Sequence, residues 1–130
     1  MTIKSFRDLV AWQKAMDFVE TVYKASGAFP KAEIYGLRSQ IRESAVSVPS
    51  NIAEGQGRKS TKEFLHFLSI AYGSLCEAQT QAILADRLGF LDEHYKSNLF
   101  SQADEVGRLI NGLAHSLSRK KASRPPATDH

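Results

Sequence analysis

The sequence predicts an all-α protein, an antiparallel up-down-up-down four-helix bundle. Three observations carry that prediction. Apolar residues recur in steps of three and four through four separate segments, the spacing of one helical face. Glycine, proline or a capping residue punctuates the segment ends. The connections between segments are short, which makes consecutive helices antiparallel neighbours. No segment shows the alternation of a strand.

The first helix is expected from about Ser5 to Ala28. Leu9, Trp12, Met16, Val19 and Tyr23 form one stripe, widened by Ala15, Phe18 and Val22, and Gly27 and Pro30 close it. The second is expected from about Pro30, which suits a first turn because its missing donor would be unpaired there. Ile34, Leu37, Ile41, Ala45, Val48 and Ile52 keep helical spacing up to Gly55 and Gly57. Pro49 falls inside this pattern, removes one backbone bond and crowds the preceding turn. A kink or break near Ser44–Val48 follows, with Ser50 and Asn51 placed to satisfy freed backbone groups.

The third helix opens at Ser60-Thr61-Lys62-Glu63, a capping box. Phe64, Leu68, Ala71, Leu75, Ala78 and Ala82 form its seam, and Gly89 is its expected terminating glycine. The fourth starts near Asp92, with Leu99, Ala103, Val106, Ile110, Leu113 and Leu117 on one face. After Ser118 the periodicity stops and two prolines follow. The bundle is therefore expected over residues 1–118, with a disordered basic tail over 119–130.

Charge refines the picture. The chain has 17 Lys and Arg against 14 Asp and Glu, a net +3. Arg119, Lys120, Lys121 and Arg124 against Asp129 account for the whole excess, so residues 1–118 are formally neutral. Within them, residues 31–62 hold six basic and three acidic groups, and residues 63–118 hold three and seven. That local polarity, rather than global basicity, points toward phosphate. No apolar stretch reaches the ~18 residues of a membrane span. Arg7, Asp8, Gln13, Lys14 and Asp17 interrupt any leader-like run. The single cysteine, Cys76, cannot form an internal disulfide, so a cytoplasmic location is expected.

The first and third helices are apolar over more than one face. Trp12, Phe18, Phe67 and Tyr72 are the surplus, and the simplest cover for them is a second copy of the chain. Small residues Ala71, Gly73, Ser74, Ala78 and Ala82 would let that copy approach closely. Coverage by loops or by the kinked second helix is the alternative.

Candidate chemistry is sparse. Glu63 and His66 share a helix face as half of a di-metal site, but His94 and His115 have no Glu three residues before them. Glu63 is already explained by its cap, so no metal or other cofactor is expected. Cys76, among apolar neighbours, reads as a buried inert thiol. Gly55-Gln56-Gly57-Arg58-Lys59-Ser60 lacks the spacing and the preceding strand of a phosphate loop. Arg58 and Lys59 beside a helix start still suit an anion. Arg38 and Arg42, four apart, share a face. These four residues are the candidate nucleic-acid contacts. The alternative is ion pairing within or between chains, with Glu43 and Glu54 among the partners.

Several blocks resemble a known family. They are Phe6-Arg7-Asp8-Leu9-Val10-Ala11-Trp12-Gln13-Lys14-Ala15, the stretch from Phe29-Pro30-Lys31 to Gln40-Ile41-Arg42, Ser44-Ala45-Val46-Ser47-Val48-Pro49-Ser50-Asn51-Ile52-Ala53-Glu54-Gly55, and Phe64 to Glu77. Together they resemble the four-helix bundle proteins named for intervening sequences in bacterial 23S ribosomal RNA genes, over about residues 4–117. The resemblance implies a homopentamer without established enzyme activity. Accessory proteins of diversity-generating retroelements, which bind a reverse transcriptase and nucleic acid, resemble the same fold.

The expectation is a non-catalytic homo-oligomeric adaptor, not an enzyme. Its partners would be copies of itself, RNA or DNA, or a nucleic-acid enzyme, with no membrane. The alternative is a purely structural or protein-interaction oligomer whose charges pair internally.

Overall fold

The computed structural model describes the backbone of residues 5–123 and the side chains of residues 5–120. Four α-helices and no strands are present among the described residues: α1 Val10–Ser26, α2 Leu37–Gln56, α3 Thr61–Arg87 and α4 Glu93–Ser123. Each packs on two others, α1 and α3 both touching α2 and α4. Trp12 shares a groove with Ala53, while Tyr23 meets Arg42. Gly55 faces Phe64 and Phe67, while Ser47 bonds Ser74 at 2.9 Å. Lys96 reaches Asp86, while Gly107 lies beside Leu75.

α1 starts later than the periodicity suggests. Ser5 Oγ accepts from the Arg7 amide at 3.2 Å and caps a 3-10 turn over Phe6–Asp8; Leu9 is then extended. The Phe6 ring returns edge-on to Trp12 at 5.0 Å. The buried face is also rotated from the expected stripe. Ala11, Ala15, Phe18, Val22 and Ala25 form the core side, whereas Met16 and Tyr23 are exposed.

α2 does not begin at Pro30. Pro30 is extended, a 3-10 turn covers Lys31–Glu33, and Gly36 has a non-helical ψ of −117°. The Glu33 carboxylate accepts from the Leu37 amide at 2.9 Å and sets the true start. Ile34, assigned to the core stripe, consequently stays on the surface. The helix then runs without a break through Pro49. The Asn51 amide donates to the Ser47 carbonyl at 2.8 Å. That carbonyl lies two residues beyond the Ala45 carbonyl, whose usual partner the proline ring removes.

Gly55 is not a terminator. It is buried inside α2, and a Cβ there would lie 2.7 Å from Phe67 Cβ. Its role is to let α2 and α3 touch backbone to side chain. Small residues on α3 serve the same approach. Ala71, Ala78 and Ala82 are fully buried in the chain's own core, and Ser74 bonds Ser47. They are therefore occupied within the chain rather than held for a second copy.

The caps of α3 match their signals. Ser60 Oγ accepts from the Glu63 amide at 3.1 Å, and the Glu63 carboxylate takes the Ser60 hydroxyl at 3.2 Å. At the other end the Gly89 amide donates to Asp86 O and the Phe90 amide to Ala85 O, with Gly89 at φ +77°. This is a Schellman stop, which needs the left-handed residue that glycine supplies. Asp92 Oδ1 accepts from the His94 amide at 2.8 Å and opens α4. α4 continues through Arg119–Ser123, so the start of the expected disordered tail is helix. Residues 124–130 lie outside the described residues.

Candidate nucleic-acid interface

The four basic residues singled out by sequence separate into two places. Arg38 and Arg42 stand one turn apart near the start of α2, and both line a concavity of about 660 Å³ with Tyr23, Tyr35 and Glu43. Arg58 and Lys59 sit past the far end of α2. Twenty residues at 1.5 Å each put Arg38 and Arg58 roughly 30 Å apart. One short stripe is therefore not formed within a single chain.

Their surroundings differ. Arg42 is turned toward α1: Nε donates to Ser26 Oγ at 2.7 Å, Nη2 donates to the Tyr23 carbonyl at 3.0 Å, and the guanidinium stacks over the Tyr23 ring at 4.4 Å. Desolvation, and then the nearby positive charge of Arg38, lower its pKa, partly opposed by Tyr23. Arg38 has no ion-pair partner among the described residues. Arg58 donates to Glu54 at 2.7 Å and lies over Phe67 at 4.8 Å. Lys59 is exposed in the α2–α3 turn.

That turn does not offer a row of open amides. The Gly57 amide donates to Ala53 O and the Arg58 amide to Gly55 O, both at 3.1 Å. His66 is exposed and edges against Phe67, while Glu63 is held by Ser60. Among the described residues no group of three or more His, Cys, Asp or Glu side chains is gathered as a metal would require. Cys76 is exposed rather than buried, because the α3 core face passes through Leu75 and Ala78 instead.

The residues assigned to a subunit interface also divide. Phe18 is a correction: it is 0% exposed and fills the chain's own core, so it presents nothing to a partner. Trp12 is half-buried in an apolar groove with Met16, Val46 and Pro49. Phe67 is half-buried between Gly55 and Arg58. Tyr72 is exposed on α3. Leu84 and Leu88, which sequence reasoning did not place, are exposed near the end of α3 together with Ile83, which it put on a flanking face. Their signal was present as apolar positions off the seam.

Tyr35 was not singled out by sequence reasoning. It is 96% exposed on the turn before α2. An aromatic beside a glycine at a helix start was the available signal.

No helix among the described residues is long and apolar enough to cross a membrane. No curated protein matches the chain at a significant level. Residues 7–112 match the family described as 23S rRNA-intervening sequence protein, and with that match spanning most of its length the chain belongs to this family.

Proposed function

We propose that the protein is a non-catalytic, homo-oligomeric adaptor that binds nucleic acid or a nucleic-acid enzyme from the cytoplasm. The observation that carries the binding half is Arg38, a cation without an ion-pair partner among the described residues, beside Arg42 on a concave surface. Un-neutralised guanidiniums held together suit phosphate oxygens, which they can meet with two parallel bonds. A ring of copies would repeat each modest patch and raise its avidity. The family resemblance supports five copies.

The assembly half rests on exposed apolar residues. Ile83 and Leu84 on α3, Leu88 just past its end, and Met16 and Val46 beside Trp12, are more apolar surface than a lone bundle needs. The reversed order of the contacts between successive helices supports an antiparallel up-down-up-down topology, and Pro49 inside α2 supports a bend there.

A structural oligomer with internally paired charges is the second reading. The Arg58–Glu54 pair favours it, because it neutralises one proposed contact.

RNA affinity measured against salt separates the two. A steep negative slope for the full chain, lost on R38E/K59E with oligomer mass unchanged, supports the adaptor. A flat slope, or no binding, leaves the structural oligomer.

A further inference from the structure

Tyr35 is 96% exposed, yet it does not stand on a loose loop. Glu33, two residues before Tyr35, holds the two residues that follow Tyr35. The Glu33 carbonyl accepts from the Gly36 amide at 3.1 Å, and its carboxylate accepts from the Leu37 amide at 2.9 Å. A Cβ at Gly36 would lie 2.9 Å from that carboxylate oxygen, so glycine leaves the Glu33 side chain room to hold this bond. The ring is thus presented to solvent by an ordered backbone, which reduces the ordering cost a ligand would meet.

Tyr35 lies at the edge of the concavity that Arg38, Arg42 and Glu43 also line. At about 660 Å³ it has the size of a small-molecule site. Arg42 spends Nε and Nη2 on α1, and Arg38 crowds it with a second positive charge. An anion between them would relieve that repulsion. Glu43, which accepts from the Ser39 hydroxyl at 3.3 Å, adds an acceptor on the same wall.

A bare phosphate has no use for a presented aromatic ring or for a carboxylate. A nucleotide uses all three: a phosphate for guanidinium, a flat base for stacking, and sugar hydroxyls that donate. We propose that this concavity binds one nucleotide unit, with the phosphate on Arg38, the base on Tyr35 and the ribose hydroxyls donating to Glu43. The proposal rests on the nucleic-acid reading above and narrows it to the start of α2. The unit can belong to a free nucleotide or to an RNA strand.

The test titrates the full chain by calorimetry with 5′-AMP, with inorganic phosphate, and with a single-stranded RNA of mixed sequence. 5′-AMP is expected to bind once per chain and about tenfold more tightly than inorganic phosphate. Y35A should weaken 5′-AMP about tenfold and leave phosphate unaffected, while Y35F retains the stacking. R38A should weaken both. Tyr35 is solvent-facing, so Y35A keeps the fold, and circular dichroism verifies it. Equal affinities for phosphate and 5′-AMP, or unchanged 5′-AMP binding by Y35A, would overturn the proposal. If 5′-AMP binds through Tyr35 and RNA does not, the site takes free nucleotides and the broader RNA reading falls alone. If RNA binds with Y35A equal to wild type and 5′-AMP does not bind, the broader reading survives and this one falls.

Discussion

The Arg42 guanidinium on α2 donates through Nε to the buried Ser26 hydroxyl at the end of α1, 2.7 Å away. A second donor from the same group takes the Tyr23 carbonyl in the last turn of α1. That carbonyl already accepts from the Gly27 amide at 3.1 Å, so the guanidinium adds a further bond there, and a cation at this place also meets the negative end of the helix dipole. Arg42 therefore locks two helices together as well as lining the concavity.

R42A is expected to destabilise the fold by about 2 kcal/mol, the scale of hydrogen bonds from a charged donor. R42K should recover only part, because an ammonium cannot reach both oxygens with the planar geometry of a guanidinium. Urea denaturation followed by circular dichroism measures both. If R42A matches wild type, the lock contributes nothing.

G55A is expected to cost about 1–3 kcal/mol, because its Cβ would meet Phe67 Cβ at 2.7 Å where two helices are already in contact. G112A is the control. It sits on the exposed surface of α4 with nothing within 4 Å of the added methyl, and it should gain up to about 1 kcal/mol from helix propensity. Thermal melts of the two variants should move in opposite directions.

The pair I83E/L84E should dissociate the proposed oligomer and leave the helical circular dichroism unchanged, since both side chains are already solvent-facing within the chain. Light scattering on the eluting protein reports the mass. An unchanged mass would place the subunit contact elsewhere.

On the adaptor proposal, R58E/K59E should remove RNA binding and leave assembly intact. Arg58 already pairs with Glu54, so reversal sets two carboxylates together; R58Q/K59Q is the milder test. It should lower the salt slope by about two if both cations contact phosphate. An unchanged slope would confine RNA contacts to other cations.

Lys96 supplies a pH signature. Its hydrogen bond to Asp86 at 3.1 Å, with the charges of Asp86 and Glu93, raises its pKa above the ordinary 10.5. A raised lysine pKa stabilises the folded state fully below the unfolded-state value and loses that contribution as pH climbs through the folded value. Stability from this pair should be flat across neutral pH and fall only above about 10.5, and K96M should flatten that alkaline limb in denaturation curves.

Much of the fold was legible in residues alone. The seams of α3 and α4 are the ones expected, because Leu68, Leu75, Ala82, Leu99 and Val106 keep strict helical spacing. Ser60 and Gly89 mark the ends of α3 because capping is local chemistry, read within four residues. Four helices and the family followed from such patterns. On α1 two apolar stripes lie side by side, and periodicity cannot rank them. Packing against α2 and α4 placed Phe18 inside and left Met16 and Tyr23 outside. Gly55 looked like a stop and became a contact point, for a reason that lies on another helix. The charges show the same limit. Whether an arginine is free or spent depends on partners such as Ser26, sixteen residues away in the chain. Short-range order is written in short stretches of sequence, while the choice of buried face and the fate of each charge belong to contacts between distant segments, which only the assembled tertiary structure decides.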